Sequence, residues 1–169
     1  MENFVLPGEQ EFERLVHNLA SRLMRRGWTM ATAESCTGGW IAKCCTDLAG
    51  SSTWFDRGFV TYSDRAKHEL LDVELSTLEE DGAVSKSTAI QMAEGARQRA
   101  GVNAALAVTG IAGPGGGSAD KPVGMVWFAW SLEGRRASSE VMQFQGDRDA
   151  VRRQTVVHAL RGLQELLGE

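Results

Sequence analysis

The chain has few of the residues that would mark a secreted, metal-binding or nucleic-acid-binding protein. It contains three cysteines, Cys36 and the adjacent Cys44 and Cys45, so neither a disulfide framework nor a Cys-x-x-Cys metal site is predicted. Positive charge is also limited, because 18 Lys and Arg face 22 Asp and Glu and no dense basic run occurs. These deficits argue against a general nucleic-acid binder and favour reduced thiols.

Long apolar runs and an export signal are missing as well. No window approaches eighteen apolar residues, and the start of the chain, Met1–Pro7, lacks a basic segment followed by an apolar stretch. We therefore expect a cytoplasmic protein that does not enter a membrane. Three prolines stand against 19 glycines, and 169 residues suffice for one core, so the sequence predicts a single domain, 1–169, with many tight turns.

Helical and strand patterns alternate along the chain. Apolar residues at helical spacing, with capping residues and glycine stops, predict helices at 9–26, 35–48, 65–71, 76–82, 86–100 and 147–167. Runs of β-branched, aromatic or small apolar residues predict strands at 29–33, 58–62, 104–109, 123–132 and 135–144. The last two strands form a hairpin. The alternation favours an α/β layered domain with a mixed sheet.

The first junction between a strand and a helix lies at Ser35. Ser35 and Thr37 are residue types that cap helices, and the positive end of a helix suits an anion or the oxyanion of an acyl-transfer reaction. Ser35 is therefore either a simple N-cap or a nucleophile, with Cys36 as a rival nucleophile beside it. Glu34 would hold the turn.

A serine nucleophile needs a base, and the three histidines are poorly placed to supply one. His17 and His158 lie within helices, and His68 would point away from the face that carries Lys67. A lysine whose ammonium is destabilised by burial is the remaining option, and Lys67 lies one turn inside a helix. Tyr62, just before that helix, would pass or orient the proton. Lys67 is otherwise a solvated helix lysine.

The third junction is Thr109-Gly110, where a buried strand opens into the glycine-dense loop 110–122. The loop lacks the Lys-Ser/Thr ending of a P-loop and does not match the dinucleotide fingerprint, so nucleoside-triphosphate chemistry is disfavoured. Its backbone N–H groups would cradle a phosphate or an oxyanion, unless the loop is only a flexible connection. Arg148, at the start of the last helix, is a candidate phosphate or ribose contact or an exposed arginine.

Six short motifs occur in order along the chain. They are Ala33–Gly39, Val60–Ser63 with Lys67, Gly82–Ser85, Val108–Pro114, Lys121–Gly124 and Gly146–Arg148. Together they resemble the CinA C-terminal-domain family, which includes stand-alone nicotinamide-nucleotide amidases. The resemblance implies a three-layer α/β/α fold, a homodimer, and hydrolysis of nicotinamide mononucleotide to nicotinate mononucleotide and ammonia without a metal or cofactor.

The same resemblance implies roles for individual residues. Ser35 would be the nucleophile, Lys67 its base and Tyr62 the residue that assists the base. The implied substrate-binding residues are Gly38, Gly39, Thr109, Gly110 and Arg148. Asp64 departs from the asparagine frequent in the family, and its carboxylate would favour the charged form of Lys67. The alternatives are an inactive pyridine-nucleotide-binding module of the same family and an amidase for another small amide.

Overall fold

The computed structural model describes residues 5–169, which form six α-helices, one short 3-10 helix and five strands. The strands are β1 Met30–Glu34, β2 Phe55–Val60, β3 Ala104–Gly110, β4 Met125–Leu132 and β5 Ser138–Gln143. The helices are α1 Glu9–Arg26, α2 Trp40–Asp47, α3 Asp64–Leu71, α4 Leu75–Glu80, α5 Lys86–Ala100 and α6 Arg148–Leu167. Residues 1–4 of the predicted domain lie outside the described part.

The five strands form one mixed sheet in the order β2-β1-β3-β4-β5. Strand β1 pairs in parallel with both β2 and β3, whereas β4 is antiparallel to its neighbours β3 and β5. Glu34, the last residue of β1, lies opposite Val60 on one side and Val108 on the other. The carboxyl ends of β1, β2 and β3 therefore meet at one edge of the sheet. The predicted mixed sheet is confirmed.

Helices cover both faces of the sheet, which confirms the three-layer α/β/α arrangement. Leu106 and Val108 of β3 belong to an apolar cluster with α1, α2 and α6, whereas Ala105 and Ala107 belong to a second cluster with α3, α4 and α5. Successive residues of a strand point to opposite faces, so a continuous apolar run suits a strand that is covered twice.

One close contact sets the position of α3 on the second face. Gly95 of α5 lies against the Leu71 carbonyl at the end of α3, and a methyl group in place of its hydrogen would overlap that carbonyl. The approach is possible only because Gly95 has no side chain. It fixes how deeply α3, which carries Lys67, sits beside the sheet.

Most predicted helix ends agree with the structure. Gly27 ends α1 in the left-handed conformation, with φ +64°. The hydroxyls of Ser63 and Ser85 cap α3 and α5 by accepting from N–H groups in their first turns. The predicted last helix began at Asp147, and this residue proves to be the N-cap, since its carboxylate accepts from the Ala150 N–H.

Three boundaries were wrong. Ser35 is not a helix cap, because α2 begins five residues later, at Trp40, after a turn in which Gly38 and Gly39 have φ of +60° and +97°. The helix predicted at 76–82, with Ser76 as its cap, begins at Leu75, so Ser76 lies inside α4. Strand β2 runs over Phe55–Val60, and the predicted 58–62 was displaced towards the following turn.

Candidate active site

The candidate site lies at the edge of the sheet where β1 and β3 end side by side. The helix that follows β1 covers one face and the helices between β2 and β3 cover the other, so a crevice opens between the two strands. A cleft of about 170 Å³ occupies this position. It is lined by Ser35, Cys36, Tyr62, Lys67, Ala83, Val84, Thr109, Gly110, Ala112 and Arg148.

Ser35 and Lys67 meet in this cleft. The Lys67 Nζ lies 3.0 Å from the Ser35 Oγ, although the two residues are 32 positions apart in sequence. Ser35 directly follows β1, and Lys67 lies in the first turn of α3, beyond the end of neighbouring β2. The side chain of Lys67 is almost completely buried, with 1% exposure, and Ser35 is 8% exposed. Lys67 is therefore a buried lysine rather than a solvated one.

Two backbone carbonyls complete the surroundings of the Lys67 amine. Its Nζ donates to the Thr61 carbonyl at 2.8 Å and lies 3.4 Å from the Tyr62 carbonyl. A neutral amine has two N–H donors and one lone pair. If the donors occupy the two carbonyls, the lone pair is directed at Ser35, which is the arrangement that a base requires.

Burial favours this neutral form of Lys67. Removal of the ammonium from water is the largest influence and lowers the pKa of Lys67 below its ordinary value of 10.5. The charge of Asp64, at the start of α3, opposes the shift and raises the pKa, as does the nearby Cys36. The effect that the sequence predicted for Asp64 therefore has the expected direction, but burial outweighs it.

Glu34 builds the turn that presents Ser35. Its carboxylate is fully buried and accepts from the backbone N–H groups of Ile41 and Ala42 at 2.8 and 2.9 Å. The hydroxyls of Thr37 and Thr32 donate to it at 2.8 and 3.2 Å. A negative charge at the start of a helix is stabilised by the unpaired N–H groups there. Because Glu34 serves the first turn of α2, the Ser35 hydroxyl is left for Lys67.

Cys36 lines the cleft beside Ser35 but is a poor rival nucleophile. Its side chain is 5% exposed, and burial is the main reason that its pKa rises to about 12. The thiolate is the reactive form of cysteine, and at neutral pH very little of it is present with such a pKa. Between the two adjacent side chains, only Ser35 contacts a basic group.

Tyr62 and Arg148 lie together at the mouth of the cleft. Arg148 donates to the Tyr62 hydroxyl at 3.1 Å and to the Gly113 carbonyl at 2.7 Å. Tyr62 is 63% exposed, and its contact with Lys67 is made by its backbone carbonyl, not by the phenol. The arrangement favours a role of the ring at the entrance over the proton transfer that the sequence predicted.

Thr109 and Gly110 line the far side of the cleft, at the end of β3. The Thr109 hydroxyl donates to the Ala83 carbonyl at 2.8 Å, which ties β3 to the segment before α5. The N–H of Ile111 donates to Met125 of β4. Since alternate residues of a strand donate to opposite neighbours, the Gly110 N–H faces β1 and the Ser35 that follows it.

Gly38 and Gly39 lie outside the cleft. They border a shallower hollow with Thr37, Trp40, Lys43 and Arg152, and they form the turn between Ser35 and α2. Positive φ at both positions explains why glycine stands there, without any need for a ligand.

Four residues near the site were missed by the sequence reasoning. Ala83, Val84 and Ala112 are apolar cleft residues, and only their place within the motifs Gly82–Ser85 and Val108–Pro114 could have indicated them. Arg152 donates to two carbonyls of the turn after Ser35. It lies four residues after Arg148, so helical spacing places both arginines on one face and could have found it.

Other chemistries find little support in residues 5–169. No group of three or more His, Cys, Asp or Glu side chains there is arranged to hold a metal ion. No helix in the same range is long and apolar enough to cross a bilayer. The histidines are elsewhere: His17 faces Glu13, His68 contacts the Val73 carbonyl and His158 contacts Glu140.

Comparisons with known proteins agree on one family. The model of the family described as CinA C-terminal domain matches residues 12–167 of this chain. A protein of Enterobacter agglomerans named nicotinamide-nucleotide amidohydrolase PncC is 53% identical over 153 residues, which cover 90% of this chain and 93% of the relative. The protein of the same name from Escherichia coli K12 is 49% identical over 155 residues, covering 92% and 94%.

Solved structures give the same result. The crystal structure of the competence/damage inducible protein CihA from Agrobacterium tumefaciens superimposes with a TM-score of 0.91 at 45% sequence identity. The match covers 98% of this chain and 99% of that one.

Proposed function

This chain belongs to the CinA C-terminal domain family, and we propose that it is an amidohydrolase that converts nicotinamide mononucleotide to nicotinate mononucleotide and ammonia. The names of relatives about half identical in sequence support the substrate. The observation that carries the proposal is the 3.0 Å contact between the Lys67 amine and the Ser35 hydroxyl in a cleft at the end of the parallel strands.

In the proposed mechanism, Ser35 attacks the carboxamide carbon while neutral Lys67 takes its proton. The tetrahedral intermediate collapses, the C–N bond breaks, and Lys67 returns the proton to the departing ammonia. Water then attacks the acyl-serine ester, again with Lys67 as base, and the nucleotide leaves as a carboxylate. The lowered pKa of Lys67 supports this cycle because it makes the neutral amine more accessible.

The oxyanion would be held by the backbone N–H groups of Cys36 and Gly110. Both residues line the cleft, on either side of Ser35. No oxygen accepts from the Cys36 N–H among the loop and turn hydrogen bonds of the described residues, and the Gly110 N–H faces the β1 side of the sheet. Backbone donors aimed at the developing charge are the usual means of stabilising such an intermediate.

The nucleotide would enter past Arg148 and Tyr62. The guanidinium of Arg148 lies at the N-terminus of α6, where the unpaired backbone N–H groups favour a phosphate. The exposed ring of Tyr62 supplies an aromatic surface for the pyridine ring. The proposed subsite leaves out Gly38 and Gly39, because they border a different hollow.

We also propose that the enzyme is a cytoplasmic homodimer. Three cysteines that are free and buried support a reducing compartment. The family resemblance supports the dimer, and light scattering should then give twice the 18.3 kDa of one chain.

The test is ammonia release from nicotinamide mononucleotide by the purified protein, with Ser35→Ala and Ser52→Ala measured alongside. Ser52 is exposed and does not line the cleft, so it controls for the loss of a serine hydroxyl elsewhere. We expect wild type and Ser52→Ala to release ammonia at equal rates and Ser35→Ala to be slower by orders of magnitude.

Two results would contradict the proposal. Turnover by Ser35→Ala near the wild-type rate would exclude covalent catalysis by that residue. Absence of ammonia, with the nucleotide still raising the melting temperature, would favour a binding module in which Asp64 keeps Lys67 charged.

A further inference from the structure

The turn that follows Ser35 is held from outside by one arginine. Arg152 donates from Nε to the Cys36 carbonyl and from Nη2 to the Thr37 carbonyl, both at 3.1 Å. The Ser35 carbonyl, which shares a peptide with the Cys36 N–H, accepts from the Gly38 N–H at 3.1 Å. A trans peptide points its N–H opposite to its C=O. With all three carbonyls engaged, the N–H groups of the turn have fixed directions.

Arg152 is itself held in place. Its guanidinium carbon lies 5.2 Å from the centre of the Trp40 ring, and that of Arg153 lies 5.1 Å from the same ring. Phe12 of α1 packs edge-on against Trp40, with 5.8 Å between ring centres. Stacking on an aromatic ring restricts a guanidinium, so the planar fork that meets the two carbonyls is formed in advance.

The charge of Arg152 also reaches the cleft. It lowers the pKa of the Cys36 thiol, in opposition to the larger effect of burial. A cleft-lining atom beside Ser35 therefore feels the positive potential of this arginine. Negative charge that develops on a substrate oxygen near the Cys36 N–H would be stabilised in the same way.

We infer that Arg152 is a positioning residue for oxyanion stabilisation: it holds the Thr37 carbonyl, whose peptide carries the Gly38 N–H, and that N–H holds the Ser35 carbonyl, whose peptide carries the Cys36 N–H. The Cys36 N–H therefore stays aimed at the substrate carbonyl oxygen. This inference rests on the proposed function. The side chain of Arg152 contacts the backbone of the turn, and Arg152 does not line the cleft. Its loss should therefore weaken stabilisation of the transition state more than substrate binding.

The size of the effect follows from the indirect role. Deleting an oxyanion donor outright costs about 10²–10³-fold in kcat. Loosening its support should cost less, about 10- to 100-fold, with KM changed by no more than about threefold. Arg152→Lys should recover only part of the rate, since an ammonium lacks the fork that meets two carbonyls in one plane.

The experiment compares Arg152→Met, Arg152→Lys and the matched control Arg153→Met. Arg153 stacks on the same tryptophan ring but bonds Asp149 and the Pro7 carbonyl, not the turn. For each protein we would measure kcat and KM for nicotinamide mononucleotide and the melting temperature. The rate of Ser35 modification by a small fluorophosphonate supplies a second reading.

The fluorophosphonate does not depend on the identity of the substrate. Ser35 Oγ forms a bond to phosphorus, fluoride leaves, Lys67 takes the serine proton, and the phosphoryl oxygen occupies the oxyanion site. We expect Arg152→Met to slow both reactions, Arg152→Lys to be intermediate, and Arg153→Met to match wild type.

The outcomes separate this inference from the proposed function. Wild-type turnover with unchanged kcat in Arg152→Met would overturn the inference alone. Modification of wild-type Ser35 by the fluorophosphonate without ammonia release from the nucleotide would overturn the proposed substrate. In that case, slower modification of Arg152→Met than of wild type would still support the inference. Equal losses in the Arg152 and Arg153 variants, with equal falls in melting temperature, would indicate a purely structural role and overturn it.

Discussion

Replacement of Lys67 by methionine removes the amine and keeps most of the buried side-chain volume. The amine contacts the Ser35 hydroxyl at 3.0 Å and the Thr61 carbonyl at 2.8 Å. A positioned general base contributes about 10²–10⁴-fold to a rate. At about 1.4 kcal/mol for each factor of ten, Lys67→Met should lose about 3–5 kcal/mol of transition-state stabilisation. We expect nucleotide binding to persist, because Arg148 and Tyr62 are untouched.

The same substitution should change how stability depends on pH. Burial lowers the pKa of Lys67 below 10.5, so between the lowered pKa and 10.5 the unfolded chain binds a proton that the folded chain lacks. The free energy of unfolding of the wild type therefore rises with pH across that window. Below the lowered pKa the folded protein carries a buried ammonium, and stability is at its lower plateau. Lys67→Met lacks the titrating amine, so its free energy of unfolding has neither this rise with pH nor the cost of burying an ammonium at lower pH.

The assay measures ammonia release and thermal unfolding from about pH 7 to about pH 10 for wild type, Lys67→Met and Lys43→Met. Lys43 is 61% exposed and pairs with Asp47, so it controls for the loss of a surface lysine. Subtracting the stability of the variant from that of the wild type at each pH removes the contributions of the other titrating groups, which the two proteins share. Turnover by Lys67→Met within about tenfold of wild type would refute the reasoning. So would a wild-type stability advantage that shrinks as pH rises.

Three further predictions concern the surroundings of this pair. Asp64→Asn should shift the rise of activity with pH towards lower pH, because the Asp64 charge raises the pKa of Lys67; a pH–rate profile measures it. Glu34→Gln should lower the free energy of unfolding by about 2–3 kcal/mol in denaturant titration, because buried donors lose a charged acceptor. Gly95→Ala should cost about 1–3 kcal/mol and also slow turnover, because the added methyl group displaces Leu71 and with it α3.

Matched substitutions control these predictions. Asp56→Asn and Glu13→Gln change exposed carboxylates and should leave the pH profile and the stability nearly unchanged. Gly115→Ala adds a methyl group where nothing lies within 4 Å, so it should not alter the melting temperature. An unshifted pH–rate profile in Asp64→Asn would contradict the predicted effect of that carboxylate on Lys67. Wild-type stability in Glu34→Gln or Gly95→Ala would contradict the predicted importance of the contacts at that residue.

Much of the fold could be predicted because periodicity reports burial. The stripe on α1 and the continuous apolar run of β3 reflect one covered face and two covered faces, respectively. The burial of Lys67 was also within reach, since Lys67 and Leu71 lie four residues apart on one helix face and both are buried. Spacing alone could not bring Lys67 to Ser35, because that contact depends on β1 and β2 being neighbours in the sheet.

The errors have a common physical origin. The helix after β1 was predicted to begin at Ser35, with Ser35 as either its cap or a nucleophile, but the carboxylate of the preceding Glu34 reaches the first turn of α2 instead. Competition between two possible caps depends on where each side chain points, and sequence type does not report that direction. Sequence type likewise could not report that the contact of Tyr62 with Lys67 is made by its backbone carbonyl.

Two of the three groups around the Lys67 amine are main-chain carbonyls, those of Thr61 and Tyr62. Point mutations exchange side chains and leave the main chain in place. The two carbonyls that hold the proposed base therefore persist as long as the chain after β2 keeps its path. Position 62 is then free to vary in the side chain that it shows to incoming molecules while its carbonyl continues to hold the amine. Such a separation would allow substrate preference to change without loss of the contacts that hold the proposed base.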